Sequence, residues 1–228
     1  MRIDTVLFDL DGTLINTIPL IRWTLKNVFA HLNIPWREQE VMRTVGLPLR
    51  QIAARYAPQQ VEDFVHLYTT IQKTKHRELT RAYPGTLETL KIVRSGGRRT
   101  GVVTSKRRHP ALEGMAFTGI DRYIEVTVAA DDVVKSKPHP EPLFTALQLL
   151  GGRPEKTVYV GDSEYDITAG KQAGVITVAV TWGVAPREQL AAHAPDVIVD
   201  SWDEFLDILG LPEQSSAGAS PGGSRRET

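Results

Sequence analysis

The chain contains no cysteine, which excludes a disulfide framework, a thiolate metal centre and a Cys nucleophile. A surplus of one charge is missing too. Lys and Arg number 27, as do Asp and Glu, so the formal net charge is zero. Proteins that live in the field of nucleic acid or anionic lipid carry a basic excess. No apolar run approaches the roughly 20 residues that span a bilayer, and Met1-Arg2-Ile3-Asp4 opens no signal-peptide core. No aromatic residue interleaves with the basic runs Arg98-Arg99 and Lys106-Arg107-Arg108, which therefore read as solvated surface. The expectation is a soluble, cytoplasmic protein with no nucleic-acid or membrane partner.

What the chain does have is length and pattern. Its 228 residues suffice for one large domain, or for a core with an insertion. Short β-branched runs at Ile3–Phe8, Thr100–Thr104, Ile124–Val128, Thr157–Val160, Val175–Val180 and Val197–Val199 alternate with stretches of helical period. The runs are apolar almost throughout, as in a parallel sheet covered on both faces. This predicts an α/β fold with a Rossmann-like, three-layer α/β/α core. One interval breaks the alternation: from Asn16 to about Pro84 no convincing strand occurs. Ile18, Ile21, Leu25, Val28 and Leu32 form one helical stripe there, and Val61, Phe64, Tyr68 and Ile71 another. The expected organisation is a core from 1–14 and 84–212, an all-helical insertion over 15–83, and a disordered tail over 213–228. That tail is mostly Ser, Gly, Ala and Pro.

The chemistry is concentrated at strand ends. Asp9-Leu10-Asp11-Gly12-Thr13 follows the first run directly, where open α/β sheets bind ligands. A turn would use the same residues, and the spacing fails for a calcium-binding EF-hand loop. Gly161-Asp162-Ser163-Glu164-Tyr165-Asp166 follows a later run. If a helix starts there, Asp162 stands near its N-terminus with Asp166 one turn on, on the same side. Up to four carboxylates in one crevice repel one another unless a cation or a raised pKa relieves them. Oxygen ligands without His or Cys favour Mg²⁺, whose shell is completed by water and a substrate phosphate. Thr104-Ser105 ends another strand in hydroxyls that can donate to phosphate oxygens. Lys135-Ser136-Lys137-Pro138 supplies an ammonium.

These segments, in this order, resemble the four motifs of the haloacid dehalogenase-like hydrolases. Phe8 to Leu14 is similar to the first motif, Thr104-Ser105 to the second, Lys137-Pro138 to the third and Gly161 to Asp166 to the fourth. Lys137 rather than Lys135 fits the third because it immediately precedes the proline. The resemblance implies that Asp9 attacks phosphorus to form an aspartyl-phosphate and that Asp11 serves as acid and then base. It implies Mg²⁺ held by Asp9, the Asp11 carbonyl and Asp162, with Asp166 as ligand or support. Thr104, Ser105 and Lys137 would bind the transferring phosphoryl group. The helical insertion would be the family's cap. The implied activity is a Mg²⁺-dependent phosphatase for a small phosphorylated substrate of the phosphoglycolate type, in a monomer or homodimer. Inorganic pyrophosphatase, a β-phosphoglucomutase-like transferase and a silent phospholigand-binding protein are the alternatives. Within the insertion, Val45-Gly46-Leu47-Pro48-Leu49-Arg50 reads either as a plain interhelical turn with Arg50 at the surface or as a specificity loop whose Arg50 meets a distal anionic group.

Overall fold

The computed structural model describes residues 2–211, so the tail expected over 213–228 lies outside the described residues. At its centre is β1 (Thr5–Phe8), buried at all four positions. Val6 and Phe8 enter one apolar core and Leu7 the other, as the two-residue period of a strand requires when both faces are covered. The chain then leaves the sheet through β2 (Ile15–Asn16). It builds α1 (Ile18–His31), α2 (Glu38–Met42), α3 (Leu49–Tyr56) and α4 (Val61–Lys75), and returns through β3 (Arg81–Ala82). From there helices and strands alternate: α5 (Thr86–Ser95), β4 (Arg99–Val103), α6 (Arg108–Thr118), β5 (Val126–Val128) and α7 (Glu141–Leu150). The rest is β6 (Thr157–Gly161), α8 (Glu164–Ala173), β7 (Ile176–Val180), α9 (Arg187–Ala192), β8 (Val197–Val199) and α10 (Trp202–Ile208). Among the described residues no helix is long and apolar enough to cross a membrane.

The six-stranded sheet runs in the order β5-β4-β1-β6-β7-β8, and all five pairings are parallel. Strand order reverses about β1, which places a crevice at its C-terminal end. Register sharpens this, because Phe8 lies opposite both Val102 and Val160. The residues that follow these three strands therefore leave the sheet at one level.

The insertion has its own core. Ile21, Leu25, Val28 and Phe29 of α1 meet Phe64 of α4 and Ile52 of α3. Phe29 packs edge-on against Trp36 and Phe64, with ring centroids 5.3 and 5.9 Å away. Burying each such side chain contributes about 1.5–3 kcal/mol. In one respect the expectation fails. The stretch from Asn16 to Pro84 contains strand after all, since Ile15 pairs with Ala82 and Asn16 with Arg81 in an antiparallel ribbon. Two residues per strand are too few to produce a sequence period, so the ribbon is invisible until the chain's exit and return are seen side by side.

Candidate active site

Asp9 leaves β1 with its amide donating to the Val160 carbonyl at 2.8 Å, so the neighbouring strand fixes where its side chain begins. Two residues on, Gly12 adopts φ +92°, and its amide closes the turn on the Ile15 carbonyl. A Cβ at Gly12 would lie 2.2 Å from Asp162 Oδ2. Glycine is needed here both for the dihedral and for the approach of Asp162.

Lys137 reaches into the crevice with 1% of its side chain exposed. Its ammonium donates at 2.6 Å to Asp9 Oδ1 and to Asp166 Oδ1, and at 2.9 Å to the Tyr159 hydroxyl. Lys135 is exposed. Ser163 caps α8, and its hydroxyl and amide both bond the Asp166 carboxylate, in the reciprocal arrangement of a capping box. With Tyr159 donating as well, Asp166 is held by four donors. Asp162 accepts from the Val184 amide at 2.7 Å and the Thr13 hydroxyl at 3.2 Å.

Carboxylate oxygens of Asp9, Asp162 and Asp166 lie within 4.8 Å of one another, all buried. Burial, reinforced by the Asp166 and Asp162 charges against the pull of Lys137, raises the Asp9 pKa well above the carboxylate range. Burial and Asp166 push Asp162 up to about 7. Burial works against the Lys137 ammonium, but Asp166 and Asp9 outweigh it and raise its pKa above the ordinary lysine range. One ammonium thus fails to balance three buried carboxylates. A hard divalent cation would supply the missing charge, and the all-oxygen donor set suits one.

Facing this cluster, Thr104 is buried at the end of β4, its hydroxyl oxygen accepting from the Lys106 amide at 3.1 Å. The Ser105 hydroxyl is buried without a partner among the described residues. Asp11 Oδ1 accepts from Thr17 at 2.5 Å and from the Lys106 ammonium at 2.8 Å. Lys106 is a correction to the sequence reading: its side chain is 9% exposed, not solvated. Arg98 is a second, since it is buried and donates to the Gly96 and Leu209 carbonyls.

A cavity of about 1250 Å³ lies between the C-terminal ends of the central strands and the insertion; Asp9, Asp11, Ser105 and Lys106 line its floor. Tyr68 and Gln72 of α4 line its wall and bond each other at 3.0 Å. Burial and the nearby Asp11 carboxylate hold the Tyr68 phenol above its ordinary range. Arg50 also lines the cavity, but in the first turn of α3 rather than in a loop. Its guanidinium meets Glu62 at 2.7 Å, with 63% of its side chain exposed.

Residues 6–180 match the family described as haloacid dehalogenase-like hydrolase. The chain belongs to that family. Among relatives of this hydrolase, the pyrophosphatase PpaX of Anoxybacillus flavithermus is 36% identical over 212 residues, covering 92% of this chain and 99% of that protein. PpaX of Bacillus mycoides is 38% identical over 210 residues, covering 92% and 98%. A crystal structure from Haemophilus somnus, of what is called a predicted phosphoglycolate phosphatase, superposes with a TM-score of 0.82 at 28% identity. It covers 91% of this chain and 98% of that one.

Six of the eight residues singled out from the sequence of this family member converge at the C-terminal end of the central strands: Asp9, Asp11, Thr104, Lys137, Asp162 and Asp166. Ser105 adjoins them through Thr104 and the cavity floor, and Arg50 stands on the wall. Lys106, Thr17 and Tyr159 were not singled out. Lys106 stands two residues past Thr104, and Tyr159 sits inside a strand where an aromatic reads as core.

Proposed function

We propose that the protein is a Mg²⁺-dependent phosphohydrolase whose substrate is inorganic pyrophosphate. The observation that carries the reading is the buried arrangement of Asp9, Asp162 and Asp166 around Lys137, next to Asp11. Pyrophosphate is preferred to phosphoglycolate because the relatives named pyrophosphatase are 36–38% identical over 92% of the chain. The neighbour called a phosphoglycolate phosphatase is 28% identical.

Asp9, the Asp11 carbonyl and Asp162 would hold Mg²⁺, and Asp166, already engaged by four donors, would orient this group. When bound, the ion offsets the negative charge of the carboxylates and the phosphoryl oxygens and so stabilises the transfer. Lys137 fixes Asp9 through Oδ1 and adds positive charge at the phosphoryl site, with Thr104 and Ser105 as hydroxyl donors. A carboxylate oxygen of Asp9 bonds phosphorus while the bridging P–O bond breaks; that bond's electron pair leaves with the departing phosphate, whose bridging oxygen takes a proton from Asp11. Water then bonds phosphorus, the Asp9–phosphorus bond breaks, and Asp11 takes the proton from water. Thr17 and Lys106 hold Asp11 by Oδ1 alone, which leaves Oδ2 for that proton. The cavity under the cap encloses the substrate during both steps.

The test is orthophosphate release from pyrophosphate, with Mg²⁺ and with chelator, by the wild type and Asp9→Asn. Turnover that needs Mg²⁺ and falls at least about 10³-fold in the variant is expected, the scale of losing a group that acts as a unit with its neighbours. Substantial turnover by Asp9→Asn, or none by the wild type, overturns the reading.

A further inference from the structure

Pyrophosphate differs from a phosphate ester in what departs. Its leaving group is a second phosphate, which gains further negative charge as the bridging bond breaks, so the site needs a cation on the leaving side. Lys137 does not fill that place. Its ammonium is already engaged by Asp9, Asp166, the Tyr159 hydroxyl and the Val103 carbonyl, and its side chain is 1% exposed. Arg50 does not fill it either while its guanidinium is paired with Glu62.

Lys106 has the required properties. Its ammonium lines the cavity floor, only 9% of its side chain is exposed, and Asp11 takes one of its three N–H groups. Its main chain is tied down on both sides. The amide donates to the Thr104 hydroxyl at 3.1 Å, and the carbonyl accepts from the Ala130 amide at 3.0 Å. A lysine so fixed beside the acid–base residue gives up little rotamer freedom when substrate arrives.

We propose that Lys106 is the leaving-group residue of this site, receiving the second phosphate while it keeps Asp11 in place. This rests on the pyrophosphate reading above. In the first step the Asp9 oxygen–phosphorus bond forms and the bridging P–O bond breaks. The electron pair stays on the bridging oxygen, and the two remaining N–H groups of Lys106 meet the charge that develops there. No proton leaves the lysine. Its contribution is greatest where the leaving group is multiply anionic and smaller where it is a substituted phenol, whose ring delocalises a single charge. Preorganised charge of this kind is worth most in a partly closed, water-poor site.

The experiment compares kcat/KM of the wild type, Lys106→Ala and Lys106→Arg on pyrophosphate and on para-nitrophenyl phosphate, with Mg²⁺ present. Lys106→Ala is expected to lose about 100-fold or more on pyrophosphate, the scale of removing one preorganised donor. Its loss on the aryl phosphate is expected to be at least about tenfold smaller, and Lys106→Arg is expected to recover most of the pyrophosphate activity. The retained aryl phosphatase activity reports that the variant is folded. Equal losses on both substrates would make Lys106 a support for Asp11 alone and overturn the proposal. Wild-type activity on pyrophosphate with the alanine variant unimpaired would also overturn it, leaving the pyrophosphate reading intact. A wild type that hydrolyses the aryl phosphate but not pyrophosphate removes both together.

Discussion

At the scale of single residues, the site separates a carboxylate saturated by protein donors from one with fewer. Asp166 is saturated by Lys137, Tyr159 and two groups of Ser163, whereas Asp162 meets one amide and one hydroxyl. Asp162→Ala is therefore expected to weaken Mg²⁺ binding more than Asp166→Ala, whose loss should stay within the roughly 10–100-fold typical of an orienting partner. Mg²⁺ titration of each variant followed by calorimetry measures this, and equal or reversed losses would contradict it. These carboxylates were legible from sequence because each stands at a fixed offset from the end of an apolar run. Lys137 was legible because of Pro138. Lys106 was not, since a Lys-Arg-Arg run reads the same whether its first member turns outward or inward. Only the sheet register, which brings β4 beside β1, turns it toward Asp11.

At the scale of elements, the six strands of the sheet follow from apolar runs that can only be covered on both faces. Their boundaries differ from the expectation by at most about two residues, the usual uncertainty at element ends. The β2–β3 ribbon escaped because it is a pairing between distant segments rather than a local pattern. The join between insertion and core is equally non-local. Gly46 sits at φ +107°, and a Cβ there would fall 2.8 Å from Tyr165 Cδ2 and 3.1 Å from the Ser163 hydroxyl. The Tyr165 hydroxyl in turn donates to the Arg43 carbonyl at 3.3 Å. Gly46→Ala is therefore expected to push the helical insertion off α8 and loosen the cavity. Pyrophosphate KM should rise several-fold while the circular dichroism spectrum stays unchanged. An unaltered KM would mean that the two parts do not meet through this contact during turnover.

At the scale of the whole molecule, the buried carboxylates make stability depend on pH in an unusual sense. A carboxylate normally titrates near 3.8, and Asp162 is held up to about 7. Between those values the folded protein keeps a proton that the unfolded chain has released, so this group's contribution to stability declines as pH rises through the window. The elevated Asp9 acts in the same direction. Asparagine at position 162 carries no such proton. In chelator, the Tm of Asp162→Asn minus that of the wild type is expected to grow from pH 4 to pH 8. At pH 8, adding Mg²⁺ should raise the wild-type Tm more than the variant's. Parallel melting curves across that range would show that Asp162 is not held in its protonated form. The α/β core with a helical insertion was readable from one long interruption in the strand rhythm, but the substrate was not. The choice depends on which cations surround the leaving group, and their placement comes from several separate segments. The most direct measurement is kcat/KM for pyrophosphate and for phosphoglycolate on one preparation with Mg²⁺. Pyrophosphate is expected to be favoured by at least about tenfold, equivalent to roughly 1.4 kcal/mol of transition-state stabilisation. Equal or better use of phosphoglycolate would contradict it.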